Sequence, residues 1–333
     1  MLARPAEAQL AADALSDVLK TVRLTGAAFF DVTARAPWVA EQPHREEVLP
    51  HFMPGAGHLI AYHVITEGRA YASLVGGEPV EMQGGDVVVV TRGDPHVVSS
   101  HPGMRAAPVP PGALNGITAN QLPCRVLHGT EGEITARFVC GFLACDAQPF
   151  NPLIENLPRI IKVRDREGSA GGMLGHFIRF ATAEAADKRA GGEGVLARLS
   201  ELMFIEVIRR YIESLPAEQS GWLSGLRDPC IGKALSLMHG KPARDWTIED
   251  LAKECGVSRS VLAERFSQRL GLPPMLYLAK WRMQLASNLL SDGTANIAAV
   301  AAEIGYASEA AFSRAFKKLV GVPPSEWRRN CAA

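Results

Sequence analysis

The sequence lacks net charge: 35 Lys and Arg stand against 35 Asp and Glu in 333 residues. Its overall field therefore advertises neither nucleic acid nor a membrane surface. It lacks an apolar run long enough to span a bilayer. Its opening, MLARPAEAQLAADALSDVLK, lacks the apolar core of a signal peptide, so a cytoplasmic protein without a membrane partner is expected. Cysteine is scarce, with six residues and no framework spacing, which fits free thiols in a reducing compartment. A Gly-rich phosphate loop, a GxSxG elbow and a convincing Ser/His/Asp set are also missing, so the chain does not read as an enzyme.

What is present begins at TIEDLAKECGVSRSVLAERFSQRLGLPP. Thr247 with Asp250 forms a capping-box start, and Leu251, Ala252 and Cys255 continue one apolar face. Gly256 supplies a left-handed turn. Ser258 caps a second helix whose expected inward face is Val261, Leu262, Phe266 and Leu270. A helical hairpin in a core would explain one such stretch. A second copy, IAAVAAEIGYASEAAFSRAFKKLVGVPP, argues for more. Ile248, Leu251, Ala252 and Gly256 recur 49 residues later at Ile297, Val300, Ala301 and Gly305. Ser258, Leu262, Phe266 and Gly271 recur 50 residues later at Ser308, Phe312, Phe316 and Gly321. The extra residue falls in the turn, where insertions are tolerated.

Two helix-turn-helices about 50 residues apart, the second reading GYASEAAFSRAFKKLVGVPPSEWR, resemble the AraC/XylS family of transcription regulators. The resemblance covers roughly residues 228 to 330 and implies binding to double-stranded promoter DNA. The stretch PPMLYLAKWRMQLASNLL between the copies reads as one helix of about 17 residues, near 25 Å long. Leu276, Leu278, Trp281, Leu285, Leu289 and Leu290 can face the two subdomains. Such a strut suits recognition helices in major-groove segments one turn, about 34 Å, apart. If Leu262, Phe266, Phe312 and Phe316 point inward, then Arg259, Ser260, Ala263 and Glu264 face outward in the first unit. In the second, Ser308, Glu309, Ala310, Ser313, Arg314 and Lys317 do so. Arg can bridge guanine O6 and N7, whereas Lys and Ser more often meet phosphate. Glu264 occupies the position of Arg314. There it could accept from cytosine N4 or merely repel phosphate. Arg314 could also be a surface salt-bridge partner. Residues 228–333 carry 14 Lys and Arg against 10 Asp and Glu, a modest basic bias.

Upstream, residues 10 to 20 read as a short amphipathic helix. Short strands follow in LTGAAFFDVTARAPWVA, HLIAYHVITEG, RAYASLVGG, GDVVVVTRG and ARFVCGFLACD, punctuated as in a small antiparallel barrel. Gly85, Gly93 and His96 stand where the second motif of cupin barrels has its glycines and histidine. Thr91 and Ser100 replace that motif's usual proline and asparagine, and the first motif's two-histidine signature is missing around Ala61 and His63. The region resembles a cupin without its full metal set, the kind of domain that binds an effector in many AraC-type regulators. His63, His96 and Cys140 come from three expected strands, and a zinc-type ion is the cofactor they could share. Cys124 with His128, and Cys140 with Cys145, could instead sense oxidants. Cys255 reads as core. Residues 101–135, rich in Pro and Gly, read as a long loop.

Residues 171–188 and 192–215 read as helices. The second has a broad apolar face including Val195, Leu199, Leu202, Met203, Val207, Ile208 and Leu215, fit to pack on the barrel or to form a dimer interface. The expected fold class is α+β. It comprises a cupin-like sensor barrel (1–155), a helical linker or dimerisation segment (156–227) and an all-α double helix-turn-helix domain (228–333). The expected function is a homodimeric, sequence-specific transcription regulator answering a small-molecule or redox effector. The rivals are a metal-dependent cupin enzyme with an appended DNA-binding domain, and an architectural DNA-binding protein with an inert barrel.

Overall fold

The segment HLIAYHVITEGRAYASL forms one strand of 17 residues in the computed structural model, where two short strands were expected. The strand continues through Gly68 at φ 78, just after a register shift against its neighbour between Ile65 and Glu67. A Cβ there would lie 2.0 Å from the carbonyl oxygen of Thr135, so only glycine lets the two backbones approach so closely. Residues 13–53, 55–110, 124–146, 148–164, 173–187, 190–216, 219–293 and 295–331 are described. They fall into two compact units that do not follow chain order.

The first unit contains Arg23–Asp146 and Leu157–Ser214. Its strands are β1 (Thr25–Arg35), β2 (Val39–Gln42), β3 (His58–Leu74), β4 (Val80–Gln83), β5 (Asp86–Val90), β6 (His96–Ser99), β7 (Cys124–His128), β8 (Ile134–Cys145) and β9 (Ile160–Arg164). They form one sheet in the order β2-β6-β3-β8-β1-β7, with β4 and β5 also on β3 and β9 on β5. The sheet is mixed: β7 runs parallel to β1, whereas the remaining ladders are antiparallel. This corrects the expectation of an antiparallel barrel, and of an unbroken loop from 101 to 135; residues 111–123 of that stretch lie outside the described residues. β9 returns to pair antiparallel with β5. Buried Asp86 pins it, meeting Arg164 at 2.7 Å and Lys162 at 3.1 Å. Burial opposes ionisation of Asp86, but these cations hold its carboxyl below the usual range.

Helix α2 (Arg45–Phe52) joins β2 to β3. Helices α4 (Met173–Asp187) and α5 (Gly192–Ser214) pack together, and α5 lies on β1. Gly26 makes this possible, since a Cβ there would stand 2.4 Å from the carbonyl oxygen of Ala197. Tyr62 and Ser200 join the layers through their hydroxyls at 2.7 Å. Met203, Phe204, Val207 and Ile208 are buried, so the apolar face of α5 is spent mainly inside this unit. Leu202, 46% exposed, and Val195, 37% exposed, are large apolar residues of that face open to solvent.

The second unit holds α1 (Asp13–Thr21), α3 (Pro152–Asn156), α6 (Trp222–Gly225), α7 (Pro229–Gly240), α8 (Ile248–Cys255), α9 (Arg259–Leu270), α10 (Pro274–Ser291), α11 (Ile297–Glu303), α12 (Glu309–Val320) and α13 (Pro324–Cys331). The N-terminal helix therefore belongs with the C-terminal ones. Asn288 Nδ2 of α10 donates to the carbonyl of Thr21 at 2.6 Å, and Gln284 Oε1 accepts from the backbone N–H of Phe150 at 2.9 Å. Trp222, expected in a linker, is fully buried, its Nε1–H donating to Tyr277 Oη at 2.9 Å. Helix α10, 18 residues and about 27 Å long, carries buried Leu278, Trp281 and Leu290. Leu276 is exposed instead of facing a subdomain.

Candidate nucleic-acid interface and a cavity in the barrel

Helices α8 and α9 are set by their caps. Thr247 and Asp250 satisfy each other's backbone N–H groups in a full capping box. Gly256 ends α8 at φ 71, and Ser258 Oγ accepts from Val261 N–H to start α9. In the second unit Asn296 Oδ1 accepts from Ala299 N–H at 2.7 Å, Gly305 turns at φ 83, and Ser308 Oγ accepts from Ala311 N–H at 3.2 Å. Leu262 and Phe266 of α9, and Phe312 and Phe316 of α12, are fully buried. Val261, expected to face inward, is 45% exposed. It precedes Leu262 by one residue, about 100° around the helix, enough to leave the core.

The exposed faces contain the expected residues. Arg259, Ser260 and Glu264 on α9, and Ser308, Glu309, Arg314 and Lys317 at or on α12, are exposed, whereas Ala263 and Ser313 are half-buried. Each helix has three cations against one Glu, a net charge of +2. The cations of α9 are engaged. Arg259 meets Glu249 at 3.0 Å, Arg265 meets buried Asp228 at 2.8 Å, and Arg269 donates to the carbonyl of Gln219 at 3.2 Å. Asp228 also caps α7, so Arg265 ties the first recognition helix to that neighbour. This tie was not read from the sequence; the Asp-Pro pair at 228–229, an N-cap followed by Pro, marks only the helix start. At the positions equivalent to Arg259, Arg265 and Arg269 the second unit has Glu309, Ala315 and Leu319. Arg314, Lys317 and Lys318 make no ion pair or side-chain hydrogen bond among the described residues.

In the barrel, a cavity of about 290 Å³ is walled by Phe30, Val32, Val98, Phe138 and Phe142. Gln42, His63, Cys124, His128 and Cys140 supply its polar atoms. The size suits a small molecule rather than a macromolecular segment. The expected metal set is only partly assembled. His63 and His96 direct their Nε2 atoms at one another, 2.9 Å apart, and Cys140 is the cross-strand neighbour of His63. Burial pushes both imidazoles toward the neutral form and pushes the Cys140 thiol up to about 12. Among the described residues no three His, Cys, Asp or Glu groups gather as a metal would need, so these donors do not fit a zinc-type site. Cys140 and Cys145 are five residues apart on one strand and point to opposite faces, which excludes a bond between them. A thiol held protonated is also a poor oxidant sensor. Cys255, expected in a core, is half-buried with Sγ 3.6 Å from the carbonyl of Cys230. No helix among the described residues is long and apolar enough to cross a membrane.

Known proteins match both halves. A Cupin family matches residues 13–213, and a Helix-turn-helix domain family matches residues 251–330. A Streptomyces lividans protein described as an AraC-like transcription regulator is 31% identical over 83% of this chain and 88% of its own length. The HTH-type transcriptional regulator AlkR of Acinetobacter baylyi is 26% identical over 96% of this chain and 99% of its own. Among solved structures, ToxT from Vibrio cholerae is 12% identical over 93% of this chain and 98% of its own, with a TM-score of 0.34.

Proposed function

This chain belongs to the AraC-like transcription regulators, with an N-terminal Cupin domain and a C-terminal helix-turn-helix domain, and from that premise we propose that its second recognition helix is the principal reader of promoter DNA. The observation that carries this reading is that Arg314, Lys317 and Lys318 on α12 are unpaired among the described residues. A free guanidinium can make a bidentate contact to guanine without first giving up a protein partner. Lys317 and Lys318, in the last turn, meet phosphate. Helix α9 supports the complex. Ser260 and Ala263 approach the groove, exposed Val261 offers an apolar contact to a thymine methyl, and Arg259 serves only when it leaves Glu249. The barrel cavity holds a small effector whose presence changes DNA affinity.

Selection of genomic fragments by the full chain, with and without small-molecule extracts, tests the reading. The expected result is an enriched motif whose strongest information lies in one half, with occupancy that depends on the extract. Retention of all fragments in proportion to their abundance would overturn sequence-specific regulation.

A further inference from the structure

Inside the barrel, the hydrogen-bond directions follow from one fixed acceptor. The carbonyl oxygen of Asp94 can only accept, and it lies 2.9 Å from His96 Nδ1. That nitrogen therefore carries the hydrogen. With His96 neutral, its Nε2 holds a lone pair, and the partner 2.9 Å away, His63 Nε2, must donate to it. His63 is neutral as well, so its Nδ1 is an acceptor. This atom is buried and has no partner among the described residues. Gln42, the ladder partner of His96 on β2, has a second buried acceptor in the same condition, its Oε1. His63 and Gln42 both line the cavity. Buried acceptors left without donors are uncommon in native proteins and ask for an explanation.

The walls restrict the answer further. Among the described residues lining the cavity there is no Arg, Lys, Asp or Glu, so a carboxylate, phosphate or ammonium group would find no counter-charge from them. The cavity of about 290 Å³ has room for a small organic molecule. We propose that the cavity takes a neutral, largely apolar molecule of that size whose hydroxyl or N–H donates to His63 Nδ1, with Gln42 Oε1 as the second acceptor. The relay from Asp94 through His96 is what fixes His63 in the accepting tautomer. His96 is thus a positioning residue. The inference rests on the reading of the barrel as an effector site, and it adds the chemical class.

Three probes of one skeleton separate the two ideas: para-propylphenol, its methyl ether and para-propylbenzoate. Calorimetric titration of the full chain should give binding of the phenol at least about tenfold tighter than of the ether, the size of one hydrogen bond to a buried acceptor. The benzoate should bind weaker still. In His63→Phe the preference for phenol over ether should fall to within about twofold. If that variant does not fold, Gln42→Leu should still reduce the preference about threefold. An ether or benzoate that binds as tightly as the phenol, or a preference unchanged in both variants, overturns the ligand class while leaving a small-molecule site in the barrel. Failure of all three probes to bind overturns the ligand class and the effector site together.

Discussion

Along α9 Arg259 is held by Glu249, Arg265 by Asp228 and Arg269 by a backbone carbonyl, whereas along α12 Arg314, Lys317 and Lys318 stand unpaired among the described residues. The two helices are the same length, have equivalent buried aromatic or aliphatic anchors, and carry the same net charge. Counting charges therefore misses what distinguishes them. A cation already paired with a carboxylate must lose that partner before it can meet DNA, and the loss offsets part of the gain. The first unit spends its cations on holding itself in place; the second leaves them for a partner.

The turn glycines offer the largest difference between the units. Both Gly256 and Gly305 have left-handed backbones, which cost an L-residue about 1–2 kcal/mol. A Cβ on Gly256 would meet nothing within 4 Å, but one on Gly305 would lie 2.3 Å from the carbonyl oxygen of Ala243. Gly256→Ala should therefore cost only the backbone strain, and Gly305→Ala about 2–5 kcal/mol once the forced separation is added. Native-state hydrogen exchange of the amides of α9 and α12 reads each unit separately. Equal losses would mean that the two turns are equivalent, and that the second is not anchored against Ala243.

How much of this was readable beforehand depends on the range of the interaction. The caps at Thr247, Ser258 and Ser308, the repeat, the strut α10 and the spans of α4 and α5 are local or periodic signals, and they were legible. The continuity of β3 through Gly68 was not, because glycine in an apolar run looks like a break until the strand beside it is known. The parallel pairing of β7 with β1 joins residues about 94 apart, as in Phe30 with Cys124, and no local pattern encodes it. His63 and His96 were singled out as ligands, but residue types on separate strands do not reveal that two imidazoles face each other. For the same reason Arg259 and Arg265 could be assigned an outward face, while their carboxylate partners could not.

Arginine substitutions test the comparison at the DNA. Arg314→Ala should weaken operator binding by about 1–3 kcal/mol and relax preference at one or two base pairs. Arg259→Ala should cost less than about 1 kcal/mol, because that arginine gives up an exposed ion pair to bind. Glu249→Gln releases Arg259 without removing it, and should tighten operator binding if the pair is what holds α9 back. Equilibrium titration of a fixed operator at one salt concentration measures all three. Equal effects of the two alanine variants would erase the distinction between a free and an occupied helix.

The smallest effect belongs to Glu264, which by the repeat occupies the place of Arg314. Its Oε1 accepts from Gln268 Nε2 at 3.0 Å, one turn along the same exposed face. That bond steadies the carboxylate where a phosphate or a base edge would approach. Because α12 is taken as the reader, Glu264 is expected to lower non-specific affinity and not to read cytosine. Glu264→Ala should then tighten binding to random DNA by roughly two- to threefold, a few tenths of a kcal/mol, and steepen the salt dependence slightly. Operator affinity should rise by no more than that, so the ratio of operator to random binding should stay level or fall. If the substitution instead weakens the operator and leaves random DNA untouched, Glu264 is accepting from cytosine N4, and the first recognition helix reads sequence as the second does.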